Sequence, residues 1–354
     1  MVESVSAAEL TAIEGVLPQF GLEASRFSVE RIGSGHINRT YYLRNKPGYI
    51  LQSVNIHVFQ NPEAVAGNIR LAADYLKEKH PDYLFLAPIP TVAGLSYAYN
   101  EQRHPWRLFP YFENSCTINE AARPQQAYEA ARAFGQLASN LSGCSLASFQ
   151  YTIPQFHHLE LRYRQFQEAL ANASVERKDA AEAQVNLAIH HHFLVERYQE
   201  LISSGELVLR IFHNDTKINN VLFDTATENT LAVIDLDTLM PGYFIYDLGD
   251  LIRTLVSPVS EEEKDISAIR FRADFYDAVV SGYLSAMKTQ LTHNELHHIS
   301  FAGPMMTYIM ALRFLADYLR GDTYYHIKYP TQNLVRATNQ LKLLEVLLQH
   351  KPLD

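Results

Sequence analysis

The first third of the chain carries the alternating pattern of strands after one short helix. Ser6 and Glu9 form a capping box, and apolar residues follow at helical spacing as far as Pro18. Three β-rich stretches come next, at 28–33, 39–44 and 49–54. Because short turn-forming segments join them, two consecutive hairpins are predicted.

A helix and two further strands are predicted before residue 113. Apolar positions recur at helical spacing over 62–79, and Pro62 suits a first helical turn. Strand patterns follow at 95–99 and 106–111. This part of the chain is therefore predicted to be rich in sheet.

Beyond residue 113 the apolar positions follow helical spacing. Helices are predicted over 124–141, 156–170, 178–202 and most of the chain from 266 onward. Strand patterns occur there in one region only, at 207–212, 221–224 and 231–237. The predicted fold class is therefore α+β with two lobes, a sheet-rich N-terminal lobe of residues 1–113 and a mainly helical C-terminal lobe of residues 114–354.

Composition narrows the classes of partner. The chain has 354 residues, 47% of them hydrophobic, so it can bury a sizeable core. A formal net charge of −9 does not support a nucleic-acid partner, and two cysteines are too few for a disulfide framework or a cysteine-based zinc site. The first residues lack the features of a secretory signal, and we expect no apolar run of membrane-spanning length. We therefore expect a cytoplasmic protein with neither a nucleic acid nor a membrane as partner.

The candidate chemistry lies in the polar segment 213–220, His-Asn-Asp-Thr-Lys-Ile-Asn-Asn, between two predicted strands. Phosphoryl transfer needs a carboxylate that accepts the proton of the attacking hydroxyl, oxygen ligands for a divalent cation, and a positive charge for the transferred group. We predict Asp215 as the base and Lys217 as the cation. The predicted Mg²⁺ ligands are Asn220 and Asp235, of which the latter closes the next strand.

The spacing of this segment reproduces the H-x-D-x-x-x-x-N pattern of the protein-kinase catalytic loop. The alternative is a polar turn in which a buried aspartate binds backbone amides. Asp247, in the sequence Tyr-Asp-Leu-Gly-Asp, is predicted to cap a helix and to support the loop from beneath.

A second candidate element is Gly33-Ser34-Gly35, in the turn of the first predicted hairpin. Residues without a bulky Cβ substituent let backbone amides approach phosphates, so Gly33, Ser34 and Gly35 are predicted to bind the nucleotide. The alternative is an ordinary hairpin turn. Because the next element is a strand and no Gly-Lys-Ser/Thr follows, this is not a Walker loop.

Together these motifs resemble a known family. The chain resembles the aminoglycoside phosphotransferase and choline kinase superfamily, whose fold is that of protein kinases, and within it the N-acetylhexosamine kinase group. The resemblance spans nearly the whole chain. It rests on the segments 35–38, 49–52, 213–222, 234–238, 240–242, 313–319, 328–330 and 333–336.

The resemblance implies a bilobal protein-kinase-like fold and ATP- and Mg²⁺-dependent phosphorylation of the anomeric hydroxyl of N-acetylglucosamine or N-acetylgalactosamine. It carries over Asp215 as the proton acceptor beside the sugar, and His36, Arg313 and Tyr324 as further sugar contacts. The residues alone allow other interpretations. Arg313 and Asp317 are spaced for an ion pair on one helix face, and Tyr324 suits a packing aromatic.

One position departs from the kinase pattern. Gln52 occupies the strand position where kinases place a phosphate-binding lysine, and we expect Lys217, Arg31 or the metal to compensate. The nucleotide base is predicted to rest against the linker at Tyr111 and Phe112, whose backbone would bind adenine. The alternative is that this linker is simply the strand entering the second lobe.

Three functions remain open on the sequence. The motifs favour a small-molecule sugar substrate. The second hypothesis is another small-molecule kinase, acting on an aminoglycoside, choline or an amino alcohol. A cationic substrate calls for an acidic pocket, whereas the C-terminal region carries basic residues with few clustered acids nearby, at Arg313, Arg320, Lys328 and Arg336. The third hypothesis, a nucleotide-binding protein without turnover, is motivated by Gln52.

Overall fold

The computed structural model of the protein describes residues 5–32, 38–351 and 353. The chain forms two compact units. The first contains the residues up to 116 together with 144–153 and 222–240, and the second contains 117–143, 154–221 and the residues from 241 onward. Two short segments from later in the chain thus complete the first unit.

Strands and helices are numbered in chain order. The strands are β1 Ser28–Ile32, β2 Arg39–Arg44, β3 Tyr49–Ser53, β4 Ala98–Tyr99, β5 Pro105–Pro110, β6 Ser115–Cys116, β7 Arg210–Phe212, β8 Val221–Asp224, β9 Thr230–Val233 and β10 Met240–Gly242. The α-helices are α1 Ala7–Val16, α2 Pro62–Lys79, α3 Pro124–Asn140, α4 Leu159–Asn172, α5 Val175–Ala180, α6 Glu182–His190, α7 Phe193–Ser203, α8 Phe244–Leu255, α9 Ala273–Met287, α10 His293–His297, α11 Ile299–Leu319 and α12 Gln332–His350.

The first unit is built on an antiparallel sheet with the strand order β1-β2-β3-β5-β4. Its two N-terminal hairpins, the Ser6 capping box of α1 and the whole of α2 confirm the predicted elements. One face of the sheet packs its apolar side chains, such as Tyr41 and Leu51, against α1. Side chains alternate along a strand, so Gln52 lies on the opposite face, where its cross-strand partner is Arg107 of β5.

The second unit is helical around α11, which packs against α4, α8 and α12. Two glycines bring α8 and α11 into close contact. A Cβ atom at Gly249 would lie 2.4 Å from the carbonyl oxygen of Ala302, and one at Gly303 would lie 2.6 Å from Cγ2 of Ile252. At Gly249 the atom in the way is backbone, so a side chain there would force the two helices apart, whereas at Gly303 a side chain would displace that of Ile252.

Helix α11 is also long and apolar enough, by length and composition, to cross a membrane. The expectation that no apolar run reaches this length is therefore wrong for α11. However, 78% of its apolar window is buried inside the structure, as in the core helix of a folded unit.

The helix predicted over 178–202 is wrong as a single element, because the chain forms the separate helices α5, α6 and α7 there. The first break falls at Ala181 and the second at His191 and His192. None of these residues is a glycine or a proline, so no local signal marks the breaks. The breaks let α6 and α7 each bury their own apolar residues, such as Val185 in α6 and Leu194 in α7, whereas α5 buries none.

Candidate active site

Three of the predicted site residues lie together in the loop that follows β7. Lys217 Nζ lies 3.2 Å from Asp215 Oδ1. Asn220 Nδ2 donates to the backbone oxygen of Asp215 at 2.9 Å and to its Oδ2 at 3.3 Å. Asn220 reaches this position because a short 3₁₀ turn, Ile218–Asn220, closes the loop before β8.

The charges of this loop stabilise Asp215 as a carboxylate. Burial disfavours the charged form, but Lys217 and His213 outweigh it and hold the pKa of Asp215 below its usual range. In turn, the Asp215 charge raises the pKa of Lys217. Asp215 is therefore ionised at neutral pH and is able to accept a proton.

Helix α8 holds the loop through two carboxylates. Asp247 accepts hydrogen bonds from the backbone amides of His213, at 3.2 Å, and Asn214, at 2.7 Å. Asp250 accepts one from the amide of Thr216 at 3.1 Å. The predicted support of the loop by Asp247 is present, but the predicted helix cap is wrong, because the residue at the N-cap of α8 is Tyr243 and Asp247 lies inside the first turn.

Asn214 lies close to Gly242 of β10. Asn214 has a left-handed backbone, with φ of 63°. A Cβ atom at Gly242 would lie 2.6 Å from Asn214 Oδ1, so a larger residue at position 242 would displace the Asn214 side chain.

The pKa of Asp247 gives the first prediction. Burial raises this pKa from 3.8 to about 6, against the opposing effect of His213 and the two amide hydrogen bonds. The folded state keeps its proton between pH about 4 and about 6 while the unfolded chain releases it, so the free energy of unfolding falls as pH rises through this window. The total loss is about 3 kcal/mol. In urea unfolding from pH 4 to 7, the stability difference between Asp247→Asn and wild type should change by about this amount, and a constant difference would contradict the assignment.

Arg313 lies in a group of aromatic side chains that we call the Arg313 cluster, composed of Arg313, Phe156, Tyr324 and Tyr325. The centre of its guanidinium group is 5.3 Å from the ring centroid of Phe156, 5.5 Å from Tyr325 and 5.9 Å from Tyr324. Within the described ranges Arg313 forms no ion pair. The predicted alternative, an ion pair with Asp317, is therefore wrong.

Asp317 instead organises the loop that follows α11. Its carboxylate accepts hydrogen bonds from the amides of Thr323 at 3.0 Å, Tyr324 at 2.8 Å and Tyr325 at 2.9 Å. Asn333 Nδ2 adds a fourth bond at 2.9 Å. The loop is thereby fixed where its tyrosines lie beside Arg313.

The Arg313 cluster is linked to the loop of Asp215 through His157, the residue after Phe156. His157 Nε2 lies 2.7 Å from the backbone oxygen of Asn214. Burial lowers the pKa of His157 to about 4, so the neutral ring donates this hydrogen bond. Two candidate site residues that are far apart in sequence, Asp215 and Arg313, are therefore brought to one region of the second unit.

A second arginine lies near the cluster. Arg162 donates to the backbone oxygens of Gln155, at 3.1 Å, and Phe156, at 2.7 Å. Burial, and then the charge of Arg313, lower the pKa of Arg162 to about 10. This residue was missed by the sequence analysis, because its contacts depend on a loop conformation that spacing does not reveal.

In the first unit, Asp235 lies in a turn and not at a strand end. The strand β9 stops at Val233, and Asp235 has a left-handed backbone with φ of 58°. A 3₁₀ turn, Leu236–Thr238, follows. The apolar residues on both sides of Asp235 explain why the strand was predicted to continue to residue 237.

Gln52 contacts a cation that was not predicted from the sequence, Arg107 of β5. Arg107 Nε donates to Gln52 Oε1 at 3.0 Å, and its Nη1 donates to Asp237 Oδ1. Gln52 Nε2 donates to Thr40 Oγ1 at 3.1 Å. The available signal was a single arginine within an apolar strand, in Trp-Arg-Leu at 106–108.

The remaining residues are those predicted to bind the nucleotide. Gly33, Ser34, Gly35 and His36 lie outside the described residues. The ring of Tyr111 packs against that of Tyr42 with centroids 4.2 Å apart, beside a cavity of about 460 Å³. The Phe112 carbonyl accepts a hydrogen bond from Ser115 Oγ at 2.6 Å. The binding of adenine at this linker stays a prediction.

The donor atoms suit a hard cation. Since Asn220 Nδ2 points at Asp215, its amide oxygen, the atom that ligates metals, lies on the other side of the group. Among the described residues there is no group of three or more His, Cys, Asp and Glu that could hold a metal. Amide and carboxylate oxygens are ligands that Mg²⁺ prefers, so Asn220 in the second unit and Asp235 in the first each suit that ion by their chemistry.

Comparisons with solved structures establish the fold. An aminopropanol kinase associated with a microcompartment matches with a TM-score of 0.65 at 16% identity, covering 98% of each chain. The amicoumacin kinase hAmiN, in complex with AMP-PNP, Ca²⁺ and amicoumacin, matches at 0.64 and 14% identity over 99% of this chain and 96% of that one. An aminoglycoside phosphotransferase from Alicyclobacillus acidocaldarius matches at 0.62 and 11% over 99% and 97%. The predicted kinase-like α+β fold is confirmed.

A family model adds the identity. The model of the phosphotransferase enzyme family, APH, matches residues 28–287, well over half of the chain. This range includes β1 at one end and the whole loop that carries Asp215, Lys217 and Asn220. The chain therefore belongs to the APH phosphotransferase family, whose members share its kinase-like fold.

Proposed function

We propose that this phosphotransferase uses ATP and Mg²⁺ to phosphorylate the anomeric hydroxyl of an N-acetylhexosamine, yielding the sugar 1-phosphate. The observation that carries the proposal is the Arg313 cluster, in which a guanidinium group that forms no ion pair with any described residue lies among three aromatic rings. Such a surface suits a neutral sugar. Aromatic faces pack against the C–H face of a pyranose, and the guanidinium group donates hydrogen bonds to hydroxyl or acetamide oxygens.

Electrostatics argue against the cationic alternatives. Arg162 adds a second positive charge close to that of Arg313. An aminoglycoside, choline or an amino alcohol would bring its own cation to this region, where like charges repel. The similar structures include an aminopropanol kinase and an aminoglycoside phosphotransferase, so cationic acceptors belong in the test.

Asp215 supplies the chemistry. In the proposed reaction the acceptor hydroxyl gives its proton to the Asp215 carboxylate, its oxygen bonds to the γ-phosphorus of ATP, and ADP leaves. Lys217 keeps Asp215 ionised and adds positive charge near the transferred group. Mg²⁺, for which Asn220 and Asp235 are the proposed ligands, would neutralise phosphate charge.

The test is ATP consumption with Mg²⁺ over a panel of acceptors. The panel contains N-acetylglucosamine, N-acetylgalactosamine, glucosamine, galactosamine, choline, kanamycin and 1-amino-2-propanol, and ³¹P NMR locates the phosphate. We expect anomeric phosphate from the acetylated sugars only. Turnover of a cationic acceptor would overturn the sugar assignment while keeping a kinase, and ATP binding without any turnover would support a non-catalytic protein.

A variant of the cluster gives a second prediction. Arg313→Met should lower kcat/KM for the acceptor by about 10- to 100-fold, because it removes hydrogen bonds donated by a charged group. The KM for ATP should stay within about twofold. Arg320→Met is the matched control, since Arg320 is an exposed residue at the C-cap of the same helix. Equal effects of the two variants on the acceptor would contradict a role for the cluster.

A further inference from the structure

Arg107 and Asp237 form a deeply buried ion pair in the first unit, and neither residue has a role in the reaction as proposed so far. Arg107, on β5, is 1% exposed and is the largest fully buried side chain described. Its ion-pair partner Asp237 is equally buried. Burying two charges is costly unless every donor and acceptor is used, so a pair at this position calls for an explanation.

The pair connects the sheet to the turn that follows Asp235. One carboxylate oxygen of Asp237 accepts from Arg107, and the other accepts from Asn38 Nδ2 at 2.8 Å. Asp237 lies within the 3₁₀ turn that starts directly after Asp235. Because both of its carboxylate oxygens are bound, Asp237 holds the 3₁₀ turn in place. That turn, held in its place, restricts the backbone of Asp235.

Asp235 needs such support. A left-handed backbone at a residue other than glycine costs on the order of 1 kcal/mol or more and persists only where its surroundings enforce it. The other end of the segment is anchored as well, because Asn68 on α2 donates to the backbone oxygen of Leu239 at 2.8 Å. Asp235 therefore sits beside a turn that is tied to both the sheet and helix α2.

The same contacts account for Gln52. Its amide oxygen accepts a hydrogen bond from Arg107, and its amide nitrogen donates to Thr40. A lysine at position 52 has no acceptor atom and would place a second cation beside Arg107. Gln52 therefore stands in place of the kinase lysine because it accommodates the buried arginine on the adjacent strand.

We propose that Arg107 takes the place of the missing strand lysine as the fixed cation of this unit, and that it acts as the positioning residue for Asp235. The inference rests on the proposed role of Asp235 as a ligand of Mg²⁺. Arg107 acts through Asp237 and the turn, and Gln52 orients its guanidinium group. Glu63, the acidic residue at the start of α2, is outside this network, since it accepts a hydrogen bond from Tyr99.

The experiment measures the Mg²⁺ concentration that half-saturates binding of AMP-PNP, followed by calorimetry without any turnover. Arg107→Met should raise this concentration at least about tenfold, the range known for residues that orient metal ligands. Gln52→Lys alone should also raise it. The double variant Gln52→Lys/Arg107→Met moves the cation from β5 to position 52 on the adjacent strand, which is the cross-strand partner of position 107. It should return the half-saturating Mg²⁺ concentration to within about threefold of wild type.

Arg26→Met is the matched control. Arg26 pairs with Glu23 at 2.9 Å at an exposed position of the same unit, so its loss should leave the Mg²⁺ dependence within about twofold. Rescue by the double variant distinguishes positioning from mere support of the fold, because a structural loss would not be repaired by a lysine one strand away.

Two further outcomes decide the inference. If Arg107→Met does not fold, the neutral pair Arg107→Met/Asp237→Asn removes both buried charges and should fold with the same weakened Mg²⁺ dependence. Wild-type Mg²⁺ dependence in either variant would overturn the role of Arg107. Failure of wild type to phosphorylate any acceptor would overturn the proposed function separately, because the binding measurement needs no acceptor.

Discussion

Asp215→Asn is expected to lower kcat by about a thousandfold or more, while the Kd for ATP stays within about twofold of wild type. The substitution keeps the shape of the side chain and one oxygen that can accept the hydrogen bond from Asn220. An amide, however, cannot accept the proton of an attacking hydroxyl. The loss should therefore appear in the chemical step, measured by single-turnover kinetics, and not in nucleotide binding.

Asp224→Asn is the control for this experiment. Asp224, at the end of β8, accepts hydrogen bonds from the amides of Ala226 and Thr227 in a turn near the surface. Its replacement should change kcat by less than about twofold. Residual turnover of Asp215→Asn within about tenfold of wild type would rule out Asp215 as the base and would leave positioning and charge as the main sources of catalysis.

Asp317→Ala is expected to reduce the free energy of unfolding by about 3–5 kcal/mol. The carboxylate of Asp317 is 4% exposed and is the common acceptor for three backbone amides of one loop and for Asn333. Alanine leaves these donors without the negative charge that holds them. Because the loop carries Tyr324 and Tyr325, acceptor binding should weaken as well.

Urea unfolding measures the loss of stability, and isothermal titration with N-acetylglucosamine measures the loss of acceptor binding. Asp265→Ala is the matched control, since Asp265 also accepts a backbone amide, that of Ser267 at 2.9 Å, but at an exposed position. It should cost less than about 1 kcal/mol. A similar cost for both variants would show that the loop does not depend on Asp317.

The parts of the site that sequence predicted are those that depend on local spacing. Asp215, Lys217 and Asn220 lie within six residues, so the conformation of one loop brings them together. Helix α2 was predicted at its observed ends because Pro62 marks its start and its apolar spacing is regular. In both cases the interactions that define the structure are made between near neighbours in the chain.

The parts that were not predicted depend on distant contacts or on competition between partners. Arg107 and Asp237 are separated by 130 positions, and no periodicity relates them. Arg313 and Asp317 are spaced for an ion pair, yet Asp317 binds the loop amides, because three charge-assisted hydrogen bonds outweigh one ion pair. The spacing of residues along a helix could not predict this choice of partner, since it does not include the amides of the loop that follows the helix.

The glycine contacts between α8 and α11 have a consequence for the evolution of acceptor choice. Helix α8 anchors the loop of Asp215, and α11 carries Arg313, so both groups are attached to one pair of helices. Because Gly249 and Gly303 bring these helices into close contact, sliding or separating them would open a gap or cause a clash. The span between Asp215 and Arg313 is therefore nearly constant. A new acceptor of different length has to be accommodated by replacing side chains in the Arg313 cluster or by lengthening the loop after α11, so relatives with other acceptors should diverge at those positions and keep both glycines.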